Sequence, residues 1–212
     1  MELTENSVVL FQGDSITDCW RNRGQEAPNT GLGGGYAARV AGDLLDARPG
    51  LGLRFYNRGI SGNRVVDLYA RWRMDAVNLR PDLISILIGV NDTWHGFKQD
   101  NGVEVPRYAQ VYRMLLDYTR ECLPNVGLVL MEPFVLPVGE VEAAWVDEMQ
   151  ARREAVRKIA EDYGAVFVPL QEPLEDAARR GGGPVHWLSD GVHPTPAGHA
   201  LIAREWLRAT GL

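Results

Sequence analysis

Five short apolar runs set the rhythm of this chain, and each is followed by a polar turn and then by residues at helical spacing. Val8-Val9-Leu10-Phe11 reads as a buried strand that stops at Gly13-Asp14. Tyr36 to Ala47 has helical spacing (Tyr36, Val40, Leu44) and is stopped by Pro49 and Gly50. Leu53 to Tyr56 alternates as an edge strand does, and Val65, Leu68, Tyr69, Trp72 and Ala76 mark the stripe of the next helix. Leu83 to Ile88 is almost continuously apolar, which predicts a central parallel strand covered on both faces. Pro106 opens a helix packing Tyr108, Val111, Tyr112, Leu115 and Cys122. Leu128 to Met131 is the fourth strand, Trp145 to Ala160 a helix, and Ala165 to Val168 the fifth strand. Thr195-Pro196 then reads as N-cap and first residue of a last helix docked by Leu201, Ile202 and Trp206. Strands alternating with helices predict a three-layer α/β/α sandwich around a five-stranded parallel sheet, with residues 1–212 as one domain.

Composition narrows the partners. The 212 residues carry a net charge of −6 and no basic cluster, which disfavours nucleic acid and anionic membrane surfaces. No apolar run approaches the ~18 residues of a membrane span. Met1 to Asn6 has neither the basic start nor the apolar core of a signal peptide, so the expectation is a cytoplasmic protein. Cys19 and Cys122 stand far apart with no ligand spacing, so neither a disulfide, a zinc site nor any cofactor is expected.

The chemistry gathers at strand ends. Ser15 follows the first strand, Gly62-Asn63 the second and Asn91 the third, and the right-handed crossover rule puts all three at one sheet edge. Asp190 and His193 precede the last helix, on a loop that needs only to fold over that edge. Their spacing lets one turn bring the carboxylate to the imidazole Nδ1, leaving the other ring nitrogen to face Ser15. Ser15 and Gly62 can offer backbone N–H groups to an oxyanion, and Asn91 a side-chain amide. The glycine-rich loop from Thr17 to Gly35, with Trp20, Arg21 and Arg23, reads as substrate-side; it lacks the Lys-Ser/Thr ending of a phosphate loop. Asp14 is a turn former with substrate contact as its other role, and Asp92 is structural. Trp94 and Trp187 are either wall packing or faces for a sugar ring. His95 and His186 can edge the site, His199 is a surface or packing residue, and Arg58 and Arg64 are salt-bridged. Glu132 to Pro137 lines an acyl channel, packs, or meets a second subunit, so a homo-oligomer stays open.

Gly13-Asp14-Ser15-Ile16, Gly62, Gly89-Val90-Asn91-Asp92 and Asp190-Gly191-Val192-His193-Pro194 together resemble, in order, the four signature blocks of the SGNH (GDSL-type) hydrolases. The resemblance implies a flavodoxin-like fold, a Ser15–His193–Asp190 triad and an oxyanion hole from Ser15, Gly62 and Asn91. Within that family the chain looks most like carbohydrate esterases of the acetyl-xylan esterase kind. The expected substrate is thus a small-molecule ester or acetylated oligosaccharide. A lipid-type esterase, lysophospholipase or thioesterase and a non-catalytic flavodoxin-like binding module are the rival readings.

Overall fold

The structure, a computed structural model, describes residues 2–212. Its sheet holds β1 (Val8–Gly13), β2 (Arg54–Asn57), β3 (Leu83–Leu87), β4 (Gly127–Met131) and β5 (Val166–Val168), all parallel, in the order β2-β1-β3-β4-β5. This is the flavodoxin-like order, whose direction of winding reverses between β1 and β3. The helices are α1 (Ser15–Asp18), α2 (Tyr36–Ala47), α3 (Val65–Asp75), α4 (Val90–Gln99), α5 (Val105–Cys122), α6 (Trp145–Asp162), α7 (Gln171–Arg180), α8 (Gly183–Trp187) and α9 (Pro196–Thr210).

Alternation along the strands builds the two outer layers. Val9 and Phe11 face a core shared with Tyr36, Val40 and Leu44 of α2 and with Ile202 and Trp206 of α9. Leu10, Ile84 and Ile86 face the opposite core, filled by Leu68 and Trp72 of α3, Tyr112 and Leu115 of α5, and Ile159 of α6. Ser85 is the polar member of β3, and Trp206 Nε1 donates to its hydroxyl at 2.9 Å. The apolar runs therefore predict the strands to within two residues at either end.

Three helical readings change. Tyr69, expected in the stripe of α3, is 40% exposed, while Val65, Leu68 and Trp72 are buried. Residues 90–99 and 171–180 form α4 and α7, whose stripes (Val90, Trp94, Phe97; Leu174, Ala177, Ala178) are short and interrupted by polar residues. In α4 the buried residues are Val90, Asn91, Asp92 and Thr93, mostly polar, and α7 buries only Leu174 and Ala177. The N-terminus of α7 is held by Glu132, whose Oε2 accepts the N–H groups of Leu170 and Gln171 at 2.8 and 2.9 Å.

Candidate active site

The crevice at the carboxyl ends of β1 and β3 is where this sheet can receive a ligand. Ser15 reaches it through a turn that only glycine can start. A Cβ at Gly13 would run into the Leu87 carbonyl and the Thr17 hydroxyl. Asp14 then caps α1, its Oδ1 accepting the Ile16 N–H at 2.9 Å. As the first residue of α1, Ser15 has a backbone N–H with no acceptor inside the helix.

His193 and Asp190 arrive from the other end of the chain. The Ser15 hydroxyl lies 2.9 Å from His193 Nε2, and His193 Nδ1 lies 2.7 Å from Asp190 Oδ2. The other oxygen of Asp190 accepts the His193 and Val192 N–H groups at 2.7 and 3.0 Å. Burial alone would raise the pKa of Asp190; these hydrogen bonds and the imidazole outweigh it and hold the carboxyl below its usual range. An ionised carboxylate only accepts, so Nδ1 carries the ring proton and Nε2 presents a lone pair to Ser15.

The loop carrying these two residues is clasped to the chain after β4. Leu136 N–H donates to the Gly191 carbonyl and Glu140 N–H to the Asp190 carbonyl, both at 2.9 Å. Gly191 sits at φ 89°, and a side chain there would strike the carbonyls of Leu136 and Val138. Leu188 and Pro194 close the loop as an antiparallel bridge.

Asn91 and the Gly62-Asn63 turn are held against each other. Asn91 Nδ2 donates one hydrogen to the Asn63 carbonyl at 3.1 Å, and its second hydrogen is left for another acceptor. This bond ties Asn91 to the Gly62-Asn63 turn. Asp92 ties the same two segments together by accepting the Val65 N–H at 3.1 and 3.2 Å. Burial pushes its carboxyl up to about 7, against the pull of the buried Arg152 guanidinium. Asp14 is likewise pushed up to about 7 by burial, and its Oδ2 has no hydrogen-bond partner.

Arg71 is the member of this site that the sequence pattern does not reveal. Its guanidinium donates to Asn63 Oδ1 at 2.7 Å, to the Arg58 carbonyl at 2.9 Å and to the Gly13 carbonyl at 3.3 Å. One side chain thus braces the turns before Ser15 and around Gly62. Asp75, four residues on, pairs with it at 3.0 Å, the one partner its helical spacing announces; the two carbonyls carry no sequence signature.

A cleft of about 640 Å³ opens over the relay, lined among others by Ser15, His193, Trp20, Arg21, Arg23 and Ser61. The Thr17–Gly35 loop therefore does border the site. Trp94, Trp187 and Asp14 stand outside the lining of this cleft. Trp94 packs its ring 5.7 Å from His193 and 5.5 Å from Trp145, as wall. Trp187 stacks edge-on with His186 at 5.0 Å and donates to the Gly181 carbonyl. Asp14 is buried beneath Ser15. None of the three, nor His95 or His186, lines the cleft.

Phe134, Val135 and Leu136 are core residues, so the Glu132–Pro137 segment lines no acyl channel. His199 is a packing residue: its Nδ1 accepts the Tyr36 N–H at 3.1 Å, leaving Nε2–H facing Cys19 Sγ at 3.2 Å. Burial holds its pKa down at about 4. Arg58 and Arg64 pair with Glu26 and Asp67. Among the described residues no group of three His, Cys, Asp or Glu side chains is placed to hold a metal ion, and no helix is long and apolar enough to cross a membrane.

Residues 11–201 match the model of the GDSL-like lipase/acylhydrolase family. This chain belongs to that family. It is 37% identical to the acetylxylan esterase of Geobacillus stearothermophilus, over 100% of this chain and 97% of the relative. The crystal structure of that enzyme superposes with a TM-score of 0.89 at 36% identity, covering 100% of this chain and 97% of the other. A protein from Parabacteroides merdae ATCC 43184 described as a GDSL-like lipase superposes with a TM-score of 0.95 at 42% identity, covering 99% and 98%. Solved structures of the Geobacillus enzyme include catalytic mutants with a serine, an aspartate or a histidine replaced by alanine. As a GDSL-family member so similar to an esterase, the chain is a carboxylic ester hydrolase.

Proposed function

We propose that the protein, one domain over its whole length, removes acetyl groups from an acetylated sugar or xylo-oligosaccharide through a Ser15 acyl-enzyme. The observation carrying this reading is the continuous relay from Ser15 Oγ to His193 (2.9 Å) and from His193 to Asp190 (2.7 Å). Ser15 Oγ attacks the acetyl carbonyl while His193 Nε2 takes its proton, and Asp190 stabilises the resulting imidazolium. Negative charge then gathers on the carbonyl oxygen, where the N–H groups of Ser15 and Gly62 and the second amide hydrogen of Asn91 receive it. His193 returns the proton to the departing sugar hydroxyl, and the bond from acetyl carbon to sugar oxygen breaks. Water, deprotonated by the same imidazole, then releases acetate from Ser15.

The leaning toward a sugar rests on the cleft. Arg21, Arg23, Asp18 and Ser61 give it a hydroxyl-compatible rim, and Phe134 to Leu136 are committed to the core instead of an acyl channel. The named activity of the Geobacillus relative agrees, as do the three residue types of its catalytic mutants. A p-nitrophenyl acetate, octanoate and palmitate series, alongside acetate release from acetylated xylo-oligosaccharides, tests the reading. Activity confined to acetyl esters and including the sugars is expected; preference for long chains overturns it in favour of a lipid-type esterase. A serine-directed phosphonate should add once, at Ser15.

A further inference from the structure

Of the exposed large apolar side chains, Trp20 is the most open, with 93% of its surface in water, and it stands on the rim of the Ser15 cleft. Its backbone is left-handed, φ 65°, directly after Cys19, also left-handed at φ 31°. Two consecutive non-glycine residues in that region are costly, and such strain persists only where the surroundings impose it. Here they do: Arg21 N–H donates to the Asp18 carbonyl and Gly34 N–H to the Cys19 carbonyl, each at 2.8 Å. Arg21 Nε is further fixed to the Gly59 carbonyl at 2.6 Å. The fold thus holds its most exposed indole outward, at the mouth of its reactive centre.

We propose that Trp20 is the alcohol-side platform of this esterase, on which a pyranose ring next to the acetylated one lies. A pyranose has an apolar face of C–H bonds and an edge of hydroxyls. The indole suits the face; the edge can be met by the guanidinium groups of Arg21 and Arg23. Asp18 takes a bond from Arg23 at 2.7 Å and two from Ser61 at 3.0 Å, which fixes Arg23 while leaving it further N–H donors. An acyl chain gains little from one open aromatic face, because it needs covering on several sides. The occupant is therefore an oligosaccharide, and the cleft of about 640 Å³ exceeds what an acetyl group requires. This assignment rests on the sugar-deacetylase reading above.

The test compares wild type, Trp20→Ala, Trp20→Phe and Trp20→Gly on ethyl acetate, an acetylated methyl xyloside, acetylated xylo-oligosaccharides and ethyl octanoate. In Trp20→Ala the ratio of kcat/KM for oligosaccharide over ethyl acetate should fall about five- to tenfold, through KM, while Trp20→Phe recovers most of it. Trp20→Gly should be as selective as Trp20→Ala yet melt no lower than wild type, because glycine relieves the left-handed strain. An unchanged ratio in Trp20→Ala overturns the platform. So does a loss specific to octanoate, which would put the indole on the acyl side. A lower melting temperature in Trp20→Gly would make Trp20 a scaffold residue and likewise overturn it. If wild type cleaves ethyl acetate but no acetylated sugar, the sugar-deacetylase reading itself fails, and the platform with it.

Discussion

Asp190 and Asp14 sit at the same edge of the sheet, yet their surroundings drive them apart. Asp190 is about a third exposed and accepts two backbone N–H groups and the His193 ring, so it stays below the usual carboxylate range. Asp14 lies just before Ser15, wholly buried, with one oxygen bonded to Ile16 N–H and the other orphaned; its carboxyl rises to about 7. The difference is first the depth of burial, complete for Asp14 and partial for Asp190, and then the number of donors offered. A carboxylate meant to hold an imidazolium must remain charged through the working range. One meant to brace a turn can share a proton. The two environments assign the two tasks before any substrate arrives.

The sharpest way to break this comparison is Asp190→Asn, which keeps the shape and removes the charge. A loss of about 10⁴ in kcat is expected with the fold intact, because the imidazole then takes the wrong tautomer. Steady-state kinetics within a few-fold of wild type would mean that something else orients His193. Asn91→Ala comes next: losing one oxyanion donor should cost ~10²–10³ in kcat, with KM little changed. Because Asn91 also holds the Asn63 carbonyl, a melting curve must accompany the kinetics. A depressed Tm with kcat within about tenfold of wild type would move Asn91 to the scaffold.

Asp14→Asn probes the other side of the comparison. The unfolded carboxyl ionises near 3.8 but the folded one near 7, so this group's contribution to stability is complete below pH 3.8 and declines up to pH 7. Asn cannot ionise, so the stability of the variant relative to wild type should shift in its favour between pH 4 and pH 8. Chemical denaturation at pH 4 and pH 8 reads this directly; an equal offset at both values would sink the buried-proton account.

His199 gives the smallest and oppositely signed effect. Its pKa is lowered from 6.5 to about 4, so its contribution is complete above pH 6.5 and is lost as the pH falls toward 4. At pH 5 that loss amounts to roughly 2 kcal/mol. His199→Gln should flatten the melting temperature between pH 7 and pH 5, and an unaltered slope there would exclude His199 as its source.

What the sequence reveals follows from what burial demands. Strands covered on both faces must be nearly all apolar, so Leu83 to Leu87 could be read directly from the chain. The more polar α4 and α7 could not, since their apolar faces are short, and α7 is fixed at its start by Glu132 from a distant strand end as well. The relay residues were legible because short spacing and glycine turns constrain their types. Arg71 was not: its i,i+4 pair with Asp75 reads as an ordinary helix-surface ion pair, and its bonds to the Arg58 and Gly13 carbonyls leave no trace in the sequence. Trp94 and Trp187 read equally as wall packing or sugar faces because each adjoins a motif, and adjacency in sequence does not fix which way an indole turns. Trp20, in a strained loop, turned out instead to be the open one.

The clasp between residues 136–140 and 190–191 also governs how activity is lost. Ser15 follows β1 directly, but the proposed base and acid ride on a loop anchored by the buried Leu188 and Val192 and clasped by two backbone hydrogen bonds and a glycine contact. Unfastening that loop separates nucleophile from base while the β-sheet remains folded. We expect this loop to open at a lower free energy than global unfolding, which hydrogen exchange at the Leu136 and Glu140 amides would read. On heating, catalysis should fade before circular dichroism reports any melting. On refolding, activity should return last, because it requires closing a chain segment of 178 residues.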